Sequence, residues 1–243
     1  MRIASYNIKA LRQDRAAVVA VLLDLDADVV GIQESTHWPV RRWRLARLAR
    51  DAGLEVAVTG WGARETSLLV RPGLEVTGRQ RIPLPWKVGR TRRGIAAATV
   101  AGVPVIVVHL SLDPAERQRH LTIIQGVLTR HGADRVVVVG DLNEEPGGAG
   151  WTALTAHLAD AAAHAGPTFP SANPGRRIDA ILVGARHRVI KSRVRHDQVT
   201  GLASDHCPLY CDIAPDDITR DDIAPDDITR DDIAPDDAER TRR

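Results

Sequence analysis

The 243-residue chain is 44% hydrophobic and 26% charged, enough for one large domain with a substantial core, and none of its apolar runs approaches the roughly 18 residues of a membrane helix. Its two cysteines, Cys207 and Cys211, lie four residues apart in a strand-like stretch spanning about 13 Å, too far for a disulfide, so a disulfide-stapled secreted domain is excluded. The net charge of +2 conceals an asymmetry: residues 214–243 hold 11 acidic and 5 basic residues, leaving 28 basic against 20 acidic in 1–213, a basic body suited to anionic partners.

Residues 3–8 already read as a strand, with no secretory leader ahead of them, and the cytoplasm is the expected compartment. Val18, Leu22 and Leu25 mark one face of a helix, and residues 28–33 (DVVGIQ) form a buried strand. A helix over 40–52 gathers Leu45, Leu48, Ala49 and Ala52 on one face and Trp43, Arg44, Arg47 and Arg50 on the other. Strands follow over 54–59, 66–70 and 74–79. The segment Arg79 to Arg93 (RQRIPLPWKVGRTRR) holds six basic residues, a tryptophan and no acid. It reads either as a solvated loop in an Arg-rich chain or as a track for phosphates with Trp86 stacking on a base.

Strands over 95–100 and 103–108 form a hairpin about Ala101-Gly102, and Pro114 opens a helix that turns Leu121, Ile124 and Leu128 inward. A strand over 136–139, a helix over 150–158 and strands over 178–183, 189–194 and 209–213 complete a body of residues 1–213. Helical and tight-turn connections together imply sheets with parallel and antiparallel pairs, covered by helices. The decapeptide IAPDDITRDD recurs from Ile213 and Ile223 and begins again at Ile233. It lacks the glycine turns and closing glutamate of a calcium loop, so 214–243 reads as a disordered acidic tail, or as an acidic arm shielding the basic body.

Several apolar strands end in a polar residue: Asn7, Glu34, His109, Asp141 with Asn143, Asp179 near a strand start, and Asp205-His206 before the last strand. Polar groups at strand mouths are where α/β proteins bind ligands. The hard oxygen donors Glu34 and Asp205, without paired cysteines or histidines, favour Mg²⁺ or Mn²⁺ over zinc. Two histidines supply proton transfer and anion stabilisation, and a neighbouring aspartate fixes an imidazole tautomer. With an arginine, this set suits attack of water on a phosphate ester. Neither GxSxG nor a Walker A or GxGxxG sequence is present. His37, His120, His131, His157, His164, His187 and His196 lie outside these blocks and are expected in surface or capping roles, and Ser204 in shaping the loop of Asp205 and His206.

The blocks SYNIKALR, VVGIQES, RRGIAAATV, VVHLSLDP, VVVVGDLNEEP, TFPSANPGRRIDAILV and SDHCPL stand in one order across 1–213. Together they resemble the endonuclease/exonuclease/phosphatase superfamily. That resemblance implies a four-layer α-β-β-α sandwich (DNase I-like) and Mg²⁺-dependent hydrolysis of phosphoesters, with Mn²⁺ as a substitute. It implies that Glu34 is the principal metal ligand, with Asn7 beside metal and phosphate and Asp205 a second metal-site carboxylate. Asp141 and Asn143 would orient the attacking water and contact the phosphate. His206 would be a catalytic histidine partnered by Asp179, and His109 the second, phosphate-binding histidine. Arg93, or Arg92 with one residue of slippage, would bind phosphate. Glu65 is similar to a partner of the His109-like residue, although an exposed, strand-flanking glutamate is the reading favoured. The expectation is a monomeric nuclease acting on DNA or RNA, with a small-molecule phosphatase, a sphingomyelinase-type enzyme and an inactive nucleic-acid-binding protein as alternatives.

Overall fold

A computed structural model describes residues 1–35 and 41–216 of the chain. His37, the expected helix start at residue 40 and the repeat from residue 217 onward lie outside the described residues. In chain order the elements are β1 (Arg2–Asn7), α1 (Arg15–Leu25), β2 (Val29–Gln33), α2 (Arg41–Asp51), β3 (Glu55–Val58), β4 (Ser67–Val70), β5 (Val76–Pro83), β6 (Gly94–Val100) and β7 (Val103–His109). They continue with α3 (Pro114–His131), β8 (Val137–Asp141), α4 (Ala149–Thr155), β9 (Ala159–Asp160), β10 (Asp179–Val183), β11 (His187–Val194), α5 (Gln198–Ala203) and β12 (Leu209–Pro215). Local chemistry sets the helix starts. The Asp14 carboxylate accepts from the N–H groups of Ala16 and Ala17 at the head of α1, and Asp113 caps α3 with Pro114 in its first turn.

The strands form two six-stranded sheets, ordered β11-β12-β1-β2-β4-β3 and β5-β6-β7-β8-β10-β9. Each contains one parallel pair, β1 with β2 and β7 with β8; the other pairs are antiparallel. Alternation along the strands assigns side chains to layers. Ile3, Val29 and Leu68 of the first sheet meet Val107, Val139 and Ile181 of the second in a core between the sheets. The opposite face of the first sheet, including Tyr6 and Ile32, packs on Val18, Leu22, Leu45 and Leu48 of α1 and α2. Ile106, Val108 and Val138 pack on Leu121 and Ile124 of α3 and Trp151 of α4. The result is a four-layer α-β-β-α sandwich. The sheets approach closely at Gly31, where a Cβ would lie 2.3 Å from a methyl of Val139.

Several elements differ from the sequence reading. β5 runs on to Pro83, so Arg79 and Arg81 belong to a strand and the basic loop is confined to 84–93. α5 and the two-residue β9 carry too few apolar repeats to be seen in the sequence. β12 passes residue 213: Ala214 and Pro215 pair with Arg188 and His187, and the Asp216 N–H donates to the Arg186 carbonyl at 2.8 Å. The body therefore takes in the first residues of the repeat. Cys207 and Cys211 are both free and buried. Among the described residues, no helix is long and apolar enough to cross a membrane.

Candidate active site

The same alternation that fills the core between the sheets builds the site. On β1 the inward positions run Ile3, Ser5, Asn7; on β7, Val105, Val107, His109; on β8, Val137, Val139, Asp141. β10 begins with Asp179 and continues inward through Ile181 and Val183. Register then brings the ends together, because His109 lies opposite Asp141 in the parallel pair and Asp179 opposite Asp141 in the antiparallel one. Four polar side chains thus extend one buried layer at one edge of the sandwich. Ser204 fastens the loop that enters β12 to this edge. Its hydroxyl donates to the Asn7 carbonyl at 2.7 Å and accepts from the His206 N–H at 3.3 Å.

Asp141 is the hub. Its Oδ2 accepts from Asn7 Nδ2 at 3.0 Å and faces His109 Nε2 at 3.3 Å and His206 Nε2 at 3.7 Å, while Oδ1 accepts from the Asn143 N–H at 2.9 Å. Burial opposes the charge of this carboxylate, but His109, His206 and the Asn143 amide outweigh it and hold Asp141 below the ordinary carboxylate range. Asn143 takes a left-handed φ of 51°, which asparagine tolerates, and its side-chain amide donates to the Leu110 carbonyl at 2.9 Å. In this arrangement Asn143 acts on Asp141 through its backbone.

The two histidines are held from behind by different devices. His206 Nδ1 lies 2.9 Å from Asp179 Oδ2, which turns Nε2 toward Asp141, and the Phe169 ring packs against the imidazole. Burial works against a charged His206, yet the field of Asp179, Asp141 and Asp205 prevails and lifts its pKa to about 9. His109 Nδ1 accepts from Arg93 Nη1. An arginine can only donate, so the ring hydrogen of His109 sits on Nε2 and points at Asp141. Arg93 also reaches Glu65 Oε1 at 3.1 Å, and that oxygen is 3.6 Å from His109 Nδ1.

Arg93 enters the site, whereas the Arg92 guanidinium stacks over the Trp86 ring outside it. Glu65 is not an exposed strand-flanking residue; it is mostly buried and paired with Arg93.

Glu34 and Asp205 approach from the rim. By strand alternation Glu34 would face the helices, but its φ of 50° breaks the alternation and brings Oε1 to 3.4 Å from Asn7 Nδ2. Asp205 Oδ2 meets Lys9 Nζ at 3.0 Å, and the Lys9 N–H donates to Asn7 Oδ1 at 3.0 Å. Lys9 was not singled out by sequence reasoning; its position two residues after Asn7 is the signal that could have found it.

His120 departs from its expected surface role. It is fully buried, with Nε2 on the Pro85 carbonyl at 2.9 Å and Nδ1 without a partner. Its spacing of four and eight residues from Ile124 and Leu128 places it on the buried face of α3.

Among the described residues, one group of three ligating side chains lies close enough to share an ion: Asp141, Asp179 and His206, with atoms within 4.8 Å of one another. Of these, His206 Nδ1 is already paired with Asp179 Oδ2, and Asp141 Oδ2 accepts from Asn7 Nδ2. The two carboxylates expected to hold a cation, Glu34 and Asp205, lie outside that trio, at the rim. Glu34 and Asp205 are hard carboxylate donors, and the Lys9 ammonium shows that positive charge is accommodated beside Asp205. Asn7 presents its nitrogen, not its oxygen, to Glu34 and Asp141, and so serves here as a donor that orients both carboxylates.

The sequence profile of the Endonuclease/Exonuclease/phosphatase family matches residues 4–206. A search of curated proteins finds no significant match. Among solved structures, the chain is similar to an endonuclease/exonuclease/phosphatase family protein from Bacteroides thetaiotaomicron, with TM-score 0.72, 15% identity, and 89% of this chain and 98% of that one covered. It is likewise similar to a mannosyl-6-phosphatase from the same species (TM-score 0.72, 15% identity, 88% and 99% covered). An AP endonuclease from Archaeoglobus fulgidus gives a TM-score of 0.66 at 18% identity, with 87% and 98% covered. At these identities the solved structures speak to the fold.

Proposed function

The chain belongs to the Endonuclease/Exonuclease/phosphatase family, and from that membership and the geometry of its site we propose that it hydrolyses phosphodiester bonds in nucleic acid with a divalent cation, Mg²⁺ or Mn²⁺. The observation that carries the reading is one buried carboxylate, Asp141, faced by two imidazole Nε2 atoms at 3.3 and 3.7 Å, each imidazole held from behind by its own partner. Glu34 and Asp205 would hold the ion, which when bound neutralises phosphoryl charge.

Asp141 accepts a hydrogen bond from the attacking water and aligns it for in-line approach to phosphorus. The water oxygen forms the new P–O bond as the bond to the ester oxygen breaks; of the two water hydrogens, one passes to the departing oxygen, which leaves as an alcohol, and the other remains with the phosphomonoester. His109 and His206 face Asp141 through Nε2, which sets both imidazoles beside the phosphoryl oxygens on which negative charge grows, and Arg93 adds a fixed positive charge behind His109. Asp179 keeps His206 in the orientation this needs. The basic loop over 84–93 beside Arg93 favours a polyanion, whereas the sugar phosphatase of the same fold supports a phosphomonoester as the second reading.

A panel of single- and double-stranded DNA, RNA, a hexose 6-phosphate and bis-p-nitrophenyl phosphate, each with and without EDTA, tests the proposal. Oligonucleotide fragments are expected with Mg²⁺ and none with EDTA. His206→Ala and Asp141→Ala should each lower turnover by a factor of about 10³. Unchanged turnover in both variants would overturn the assignment, and hydrolysis of the hexose phosphate alone would replace the diester with a monoester. Binding of DNA without cleavage under Mg²⁺ and Mn²⁺ would mark a protein that has lost catalysis.

A further inference from the structure

We propose that two exposed tryptophan–arginine stacks, Trp61 with Arg64 and Trp86 with Arg92, take unpaired bases of a strand whose phosphate lies at Asp141, so that the preferred substrate is single-stranded or locally opened nucleic acid. The inference rests on the nucleic-acid reading of the site. Its starting point is a repeated inside–outside pair. Glu65 and Arg93 point inward and hold His109; their chain neighbours Arg64 and Arg92 point outward and lie over tryptophan rings, at 4.6 and 4.1 Å from the ring centroids. Each outward arginine is one residue, about 3.8 Å along the chain, from a residue that touches the catalytic histidine.

The backbone segments that carry the two stacks are in contact. Thr66 Oγ1 donates to the Ala63 carbonyl at 2.7 Å and to the Gly94 carbonyl at 3.1 Å, and Arg81 Nε donates to the Thr59 carbonyl at 2.6 Å. A Cβ at Gly94 would lie 2.2 Å from the Gly62 carbonyl oxygen, so the turn that carries Trp61 is seated directly on the strand ends that carry the Trp86 loop. That loop is fixed rather than loosely solvated. Leu84 N–H donates to the Arg93 carbonyl at its base, and two fully buried residues of α3 grip its middle. His120 Nε2 holds the Pro85 carbonyl at 2.9 Å, and Glu116 Oε1 accepts from the Lys87 N–H at 2.9 Å.

The chemistry of the stacks selects the ligand. A guanidinium lies over each ring, and both rings are open to solvent, Trp61 78% exposed and Trp86 38%, so that a flat partner can reach them. Aromatic platforms beside cations are the means by which proteins hold unpaired bases, with the ring taking the base and the cation the phosphate. A base inside a duplex already has both faces stacked and cannot use them. A bilayer would bury the whole ring, and among the described residues the large exposed apolar side chains here, Trp61, Trp86, Val88 and Leu112, are interleaved with charged ones such as Arg64, Lys87 and Arg92 rather than forming one apolar face.

The test is binding in EDTA of a fluorescent oligothymidylate of ten units and of the same backbone built from abasic tetrahydrofuran units, followed by anisotropy. Wild type should bind the base-bearing strand at least about 10-fold more tightly than the abasic one. Trp61→Ala and Trp86→Ala should each lose about 10-fold on the former and little on the latter, while Trp61→Phe and Trp86→Phe retain most of the preference. Thermal melts establish that the variants are folded. Equal affinity for both backbones, or alanine variants that keep the preference, overturns the inference. So does tryptophan-dependent capture by vesicles of phosphatidylcholine and phosphatidylserine in the absence of a base preference. The two readings fail separately: base-dependent binding with no cleavage under Mg²⁺ overturns the nuclease and leaves the stacks, whereas cleavage without base preference does the reverse.

Discussion

Removing Arg93 while leaving Glu65 in place separates what this ion pair does for the fold from what it does for the site. Arg93→Met keeps the length of the side chain but strips the carboxylate of Glu65 of the guanidinium 3.1 Å away, and it takes the donor from His109 Nδ1. Both partners are largely buried, with side-chain exposures of 9% and 12%, so the stranded carboxylate has little water to turn to. Breaking a buried pair in this way costs about 3–5 kcal/mol, lowered toward the bottom of that range by the residual exposure of Glu65. For a domain of this size, 3 kcal/mol corresponds to a drop in Tm of about 6–12 °C. The double variant Glu65→Gln with Arg93→Met has no buried charge to strand and should recover most of that loss. It should not recover activity, because the positive charge behind His109 is still missing. Both variants should show kcat/KM on bis-p-nitrophenyl phosphate lowered by a factor of about 10²–10³. Thermal denaturation and steady-state hydrolysis measured on the four corners of the cycle decide the matter. A single variant that melts like wild type would show that Glu65 is not held by Arg93, and a double variant with restored turnover would remove Arg93 from the chemistry.

Two other perturbations probe the frame. At Gly31 the sheets touch, and a methyl there would lie 2.3 Å from Val139 Cγ2 and 3.2 Å from both methyls of Val107. Gly31→Ala should therefore cost about 1–3 kcal/mol, with part of the loss returned by adding Val139→Ala, as read from denaturant melts; wild-type stability in the single variant would mean that the sheets do not meet at this point. The second concerns acid. Burial lowers the pKa of His120 from its ordinary value of 6.5, and the Pro85 carbonyl and Glu116 do not make up the difference, so the folded protein binds this proton less readily than the unfolded chain. The contribution is present above pH 6.5 and is lost as pH falls through the lowered value. His120→Gln keeps a donor for Pro85 without the titration, and its Tm should fall less than that of wild type between pH 7.5 and 5.5; parallel declines would refute the assignment.

Much of this arrangement is legible along the sequence because one rule generates it. A strand whose alternate positions are apolar and which then ends on a polar residue of the same parity sends that residue into the layer it has been filling. Val105-Val107-His109 and Val137-Val139-Asp141 obey it, Asp179 obeys it at the opposite end of a strand, and Ile3-Ser5-Asn7 keeps the same parity with a small buried serine in the middle place. Since register sets His109 and Asp179 opposite Asp141, the polar cluster is the last row of the core between the sheets, with polar atoms in place of methyl groups.

The residues the rule does not reach are those outside regular strand geometry. Extrapolated from Ile95 and Ala97, which face α3, Arg93 would turn toward the helices; it lies one residue before β6 begins, where alternation no longer applies, and instead meets Glu65. That is why the sequence leaves Arg92 and Arg93 undivided. Glu34 is found by composition but not by parity, because its left-handed φ turns it from the helix side to Asn7. A non-glycine residue held there costs about 1–2 kcal/mol, and such strain persists where the surroundings fix it. The neighbouring turn repeats the pattern, with φ of 47°, 54° and 55° at Lys9, Ala10 and Leu11, tied to Glu34 by the Ala10 N–H on its carbonyl at 2.8 Å. The rigid half of the site thus follows from strand alternation, whereas the rim that presents Glu34 and Lys9 is built from backbone conformations that side-chain patterns do not encode.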